Sequence, residues 1–155
     1  MTRYLSILLE VIKQAEREVT YGRTLILVPT IAASEMLLQY VTKMFPDKNV
    51  VTIHSHHNAK ENLEAKAKAD IMISTPQSAG TGFDAKGLSK LIVSSPFKSW
   101  ILGSQIRGRL RRRDDGKDTF MWDIIDADIP QLRAWANARA NVYRKESKSF
   151  KVVDM

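Results

Sequence analysis

"TLILVPTIAASEMLLQYVTKMFP", residues 24–46, changes its period in the middle, and that change decides the fold. From Thr24 to Pro29 the apolar residues run without a break, which is the pattern of a strand buried on both faces, as in a parallel sheet covered by helices. After Pro29 the rhythm becomes helical: Leu37, Tyr40, Val41 and Met44 share one face, Thr30 stands as N-cap, and the helix must end before Pro46.

The same alternation continues on both sides of this stretch. Upstream, Leu8, Val11, Ile12 and Ala15 recur at i, i+3, i+4 and i+7, predicting an amphipathic helix over about residues 3 to 18 that closes near Gly22. Downstream come a strand at "VVTIH" (Val50 to His54), a helix at "KENLEAKAKA" (Lys60 to Ala69), and strands at "DIMIST" (Asp70 to Thr75) and "KLIVSS" (Lys90 to Ser95). The segment between those two strands, "PQSAGTGFDAKGL", reads as a glycine-bearing loop. A helix from about Trp100 to Arg112 precedes the turn "DDGKD", and "TFMWDIIDAD" (Thr119 to Asp128) returns as a strand. Pro130 suits the first turn of a last helix with Leu132, Trp135, Ala136, Val142 and Tyr143 inward, and "FKVVDM" reads as a final short strand. Strands alternating with helices over short connections predict one three-layer α/β/α domain, residues 1–155, with a mainly parallel sheet.

Composition narrows the partners. The 155 residues carry 24 Lys+Arg against 17 Asp+Glu, a net charge of +7, which favours a polyanion without choosing among DNA, RNA, nucleotide phosphates and an anionic surface. There is no cysteine, so disulfides and thiolate metal sites are excluded, and a reducing cytoplasm is the expected setting. Glu10 and Lys13 break the apolar start "MTRYLSILLEVIKQ", which is read as a helix and not as a signal peptide.

The glycine loop offers two near matches. Gly80, Gly82 and Ala85 fit GxGxxA, but that fingerprint should open a helix, whereas here it leads into "LSKLIV". Gly82 to Ser89 approaches GxxxxGK[ST], yet Leu88 holds the lysine position that would meet the β and γ phosphates. No strand ending in DExx is present to help hold magnesium. The three histidines of "HSHHN", His54, His56 and His57, follow a strand end without an adjoining carboxylate or cysteine to complete a metal site, so no metal is expected there. Trp100, Trp122 and Trp135 lie in regular elements and are expected in the core or an interface.

The sharpest pattern is "QIRGRLRR". Counted from Gln105, residues Gly108, Arg109 and Arg112 fall at i+3, i+4 and i+7, on one helical face, beside an apolar stripe of Leu102, Ile106 and Leu110. Gly108 lacks a Cβ and lets a ligand or backbone approach closely. Two guanidiniums a turn apart suit the charge of a transferring phosphoryl group. Arg107 and Arg111 point elsewhere, toward solvent or a nucleic-acid strand.

These residues resemble a family. "QIRGRLRR" is similar to the QxxGRxxR motif VI of superfamily two helicases, "STPQSAGTGFDAKGL" to their motif V, and "TLILVPTIAASEMLLQYV" to the strand and helix of motif IV. The resemblance covers most of the chain as the second, C-terminal RecA-like motor domain. It implies that Arg109 and Arg112 are arginine fingers reaching ATP and Mg held mainly by a first RecA-like domain bearing the Walker motifs. It also implies that Gln105 and Gly108, with Gly82 and Asp84, border the nucleotide, and that Thr30, Thr75, Arg107 and Arg111 touch nucleic acid. Gln105 replaces the histidine usual in DEAD-box proteins, and "GTGFD" replaces their "ARGLD", so the look is closer to DNA recombination and repair helicases, phage enzymes included. The competing readings are an RNA helicase domain, a non-catalytic basic nucleic-acid-binding module, and a dinucleotide-binding enzyme.

Overall fold

The computed structural model describes residues 2–80, 87–94, 116–125, 129–146, 149 and 151–153. Helix α1 (Arg3–Glu18) is followed by β1 (Arg23–Leu27), α2 (Ile31–Met44), β2 (Val50–Ile53), α3 (Ala59–Lys68), β3 (Ile71–Ser74), α4 (Pro76–Gly80), β4 (Leu88–Val93), β5 (Phe120–Asp123) and α5 (Pro130–Glu146). The five described strands lie in one sheet, in the order β2-β3-β1-β4-β5, and every pairing is parallel.

The apolar runs behave as their patterns require. All six residues of β4 and all four of β3 are buried, and β1 is buried after Arg23. Alternate residues of one strand serve opposite faces. Ile26 and Val28 join Ile71, Ile73 and Ile92 beneath Leu8, Leu9, Ile12 and Ala15 of α1 and Leu37 and Val41 of α2. Leu25 and Leu27 join Met72, Leu91 and Val93 on the opposite face. There the Arg23 side chain donates to the carbonyls of Lys66 and Ala69, fastening the end of α3 to that side. Helices therefore cover both faces of a parallel sheet, the α/β/α arrangement expected.

Caps set the helix starts. Thr30 accepts from the Ala33 amide, and Thr2 accepts from Leu5. Asn58 accepts from Glu61 N–H and donates back to the Glu61 carboxylate, so cap and third residue hold each other. The turns entering β1 and β4 use Gly22 and Gly87 at φ 74° and 82°, a conformation that a Cβ disfavours.

Lys90 is 1% exposed within β4. Its ammonium donates to Val19 O at 2.7 Å and lies 3.3 Å from the Glu16 carboxylate, which also receives Lys48 at 2.6 Å. A buried charge is tolerable only when paired and hydrogen-bonded, and this network ties the end of α1 to the sheet.

Three expectations are corrected. Pro76–Gly80, read as loop, begins with helix α4, because Thr75 accepts from Ser78 N–H and Pro76 needs no hydrogen-bond partner at a first helical position. The strand at Thr119–Asp128 is only Phe120–Asp123 among the described residues; its four residues pair with Lys90–Val93, so it stops where its partner stops. Residues 151–153 form no strand, and Val152 and Val153, at 72% and 62% exposure, bury too little to hold one in place. In α5, Ala136 and Tyr143 are buried as anticipated, with Leu132 and Trp135 half-buried. Trp122 packs against the α1-side core. The helix expected at Trp100 to Arg112 lies outside the described residues.

Candidate functional site

In a wholly parallel sheet all strands end on the same side, and that carboxyl edge is where α/β proteins place ligands. The registers Ile53↔Ser74, Leu27↔Ser74, Leu27↔Val93 and Val93↔Asp123 align the five strand ends. His54, Thr75, Thr30, Ser94 and Ile124 therefore follow the ends of β2, β3, β1, β4 and β5 along one rim.

Thr30 is exposed on this rim, at the start of a 14-residue helix whose dipole suits a phosphate. Thr75 is 6% exposed, its hydroxyl turned to Ser78. Of the other expected site residues, Gly82, Asp84, Gln105, Arg107, Gly108, Arg109, Arg111 and Arg112 lie outside the described residues. The GxGxxA reading begins at Gly80, where α4 ends, so among the described residues no helix opens on that fingerprint.

Between β1, β4 and β5 the rim holds a cavity of about 260 Å³ lined by Tyr4, Pro29, Ser94, Ile124, Leu132 and Arg139. Tyr4 donates to Ser94 O at 2.9 Å across it. Its far wall is fixed by Asp123, whose carboxylate accepts Arg139 Nε at 2.9 Å, Arg139 Nη2 at 3.1 Å and Tyr143 OH at 2.9 Å. Burial alone would lower the Arg139 pKa; the Asp123 carboxylate outweighs it and holds the guanidinium above its ordinary value. Burial, reinforced by the same carboxylate, raises the pKa of the Tyr143 phenol.

At the β2 end the structure supplies what "HSHHN" lacked. Val50, Thr52 and His54 alternate toward α2, and there His54 Nε2 meets Glu35 Oε1 at 2.6 Å while Thr52 donates to the same oxygen at 3.0 Å. His57 stacks on His54 with ring centroids 4.1 Å apart. Its Nδ1 lies 3.2 Å from Glu61 Oε2. The His54 hydrogen bond, exceeding the opposing effect of burial, pulls the Glu35 carboxyl below its usual pKa. Glu35 was missed because it stands 19 residues before His54 on an exposed helix turn, with no local pattern to mark it. Glu61 carried a faint signal: it sits one helical turn past His57.

The chain has the fold of the C-terminal RecA-like domain of superfamily two helicases. No protein-family profile matches it. In sequence it is 27% identical over 159 residues to the ATP-dependent DNA helicase RecG of Aquifex aeolicus, an alignment spanning 94% of this chain and 20% of that protein. The chain thus corresponds to about a fifth of that relative's length. In structure it is similar to the C-terminal domain of the DEAD-box protein Dbp5, with a TM-score of 0.70 at 14% identity over 92% of this chain and 81% of that one. The C-terminal part of the Fun30 ATPase domain gives 0.72 at 13% identity over 88% and 46%. T4 UvsW gives 0.66 at 17% identity over 94% and 33%. Among the described residues no helix is long and apolar enough to cross a membrane.

Proposed function

We propose that the chain is the second motor domain of an ATP-dependent nucleic-acid helicase or translocase, with DNA as the strand it moves along. The observation that carries this reading is the joint occurrence of the parallel β2-β3-β1-β4-β5 sheet and the Gln105, Gly108, Arg109, Arg112 spacing downstream of it. Similarity to a DNA helicase, and the departures from the DEAD-box motifs, support DNA over RNA.

The chain carries neither GxxxxGK[ST] nor DExx, so ATP and Mg²⁺ would be held mainly by a first RecA-like domain. This domain would complete the site: Arg109 and Arg112 stabilise charge on the transferring γ-phosphoryl group, while Gln105, Gly108, Gly82 and Asp84 border the nucleotide. Thr30, Thr75, Arg107 and Arg111 contact the strand, and closure and reopening of the cleft between the domains advance it.

The test compares ATPase of this chain alone with ATPase after addition of a first RecA-like domain, and then of the Arg112→Ala variant in the assembled enzyme. The chain alone should be nearly inactive, and the variant should lose about 10³-fold or more in turnover, the scale of an arginine finger, while holding DNA nearly as well. Strong ATPase from the chain alone refutes shared catalysis. Loss of DNA affinity with turnover intact would move Arg112 to the strand-binding face.

A further inference from the structure

From the cluster at the end of the edge strand β2, we infer that the chain binds one borderline divalent cation, of the zinc class, through Glu35, His54 and His57. One ligand atom from each residue lies within 4.8 Å of the others. The ligands come from separate places in the chain. Glu35 is in the second turn of α2, His54 directly follows β2, and His57 lies in the turn before α3. Two imidazoles and one carboxylate form a donor set that suits Zn²⁺, Ni²⁺ or Cu²⁺ and is poor for Mg²⁺, which prefers oxygen throughout. Three protein ligands leave a fourth tetrahedral position open to solvent.

The hydrogen bonds around the rings decide how each would serve. His57 Nδ1 lies 3.2 Å from the Glu61 carboxylate, and its Nε2 lies 3.2 Å from Thr52 Oγ1 and 4.0 Å from Glu35. The Thr52 hydroxyl donates to Glu35, so Nε2 carries the proton here, and an ion at Nε2 sends it to Nδ1, beside Glu61. A carboxylate holding the far nitrogen of a histidine is the common support of a metal ligand, fixing ring and tautomer together. His54 starts from the same tautomer. The His56 amide donates to His54 Nδ1 at 3.2 Å, so the proton is on Nε2, bonded to Glu35. An entering ion takes that position between His54 and Glu35 while the ring's one proton passes to Nδ1, so no proton is released and the His56 amide gives up its contact with Nδ1.

The distances are short, but the His57 ring must turn off the face of His54, because rings 18° from parallel cannot aim their in-plane lone pairs at one ion. Tetrahedral Zn²⁺ ligands sit about 3.4 Å from one another at bond lengths near 2.0–2.1 Å, so the 2.6 Å Glu35–His54 contact opens while the 4.0 Å Glu35–His57 gap closes. Asn62 donates to His54 O at 3.1 Å, holding the strand end in place. Its Oδ1 is buried without a partner among the described residues, a spare acceptor in the same corner. The ion would join α2, the edge strand and the start of α3, and would cancel negative charge one turn beyond Thr30.

The experiment uses the chain free of any histidine tag and stripped with a chelator. Zn²⁺ is titrated by calorimetry and Co²⁺ by visible absorption, and the histidine ring nitrogens are followed by NMR. One ion should bind per chain, with His54 switching from the Nε2–H to the Nδ1–H form. Glu35→Gln and His57→Ala, both at partly exposed positions, should each weaken binding at least tenfold, and Glu61→Gln about 10- to 100-fold, the usual cost of losing such a support. Absence of saturable binding overturns the inference, as does binding that is unchanged in both ligand variants or leaves the His54 tautomer in place. The cluster would then be a hydrogen-bonded network only.

Discussion

Replacing Asp123 by alanine should be among the most damaging single changes to this fold. The Asp123 carboxylate accepts three hydrogen bonds, two from Arg139 and one from Tyr143, and joins α5 to the end of β5. The two charged side chains are only 8% and 10% exposed, so solvent screens the pair little. Asp123→Ala removes the carboxylate that holds both the buried guanidinium and the Tyr143 hydroxyl, at a cost of about 3–5 kcal/mol. Set against total stabilities of roughly 5–15 kcal/mol, that is a large fraction. For a domain of this size it corresponds to a fall in Tm of about 6–20 °C, at roughly 2–4 °C per kcal/mol. The assay is urea unfolding followed by circular dichroism, with calorimetry for Tm. Arg139→Leu in the Asp123→Ala background should recover part of the loss, since it replaces a buried charge that has lost the Asp123 carboxylate with apolar volume. The two changes should therefore be non-additive by about 1.5 kcal/mol or more. A loss below about 1 kcal/mol for Asp123→Ala, the value typical of an exposed ion pair, would refute the reasoning.

Two further outcomes follow from the same geometry. Because the folded Tyr143 pKa is raised above its ordinary value of 10.0, its contribution is complete below that pH and declines as the pH climbs past it, where the unfolded chain releases the proton first. Stability of the wild type should thus drop more steeply above pH 10 than that of Tyr143→Phe, and parallel curves would contradict the assignment. Thr30→Val deletes the oxygen that accepts from Ala33 N–H at 3.0 Å and should cost about 1 kcal/mol by denaturant unfolding, whereas Thr30→Ser should stay close to wild type.

What the amino-acid order determines on its own is whatever repeats within a few residues. The unbroken run at Thr24–Pro29 announced a strand covered on both sides, and the spacing of Leu37 and Val41 announced the helix packed on it. Thr30 was legible as a cap because an N-cap hydroxyl acts on an amide three residues away. The five-residue α4 was read as loop because so short a segment shows no helical period, and its cap and first-turn proline were masked by the glycines beyond. The final valines were read as a strand because β propensity says nothing about whether a sheet edge is there to receive them.

Everything that depends on pairs distant in the chain was decided by packing. Lys90 reads as one more charge in "KLIVSS", yet the sheet buries it against Glu16, 74 positions earlier, and Val19. The side of β2 that faces α2 was open until strand order made β2 an edge, and that choice is what brings Glu35 to His54. Three histidines in sequence could not show whether a carboxylate would meet them, because periodicity constrains only neighbours along one element. The meeting of separate elements is fixed by which apolar faces bury one another, and the donors on their rims are carried into place with them.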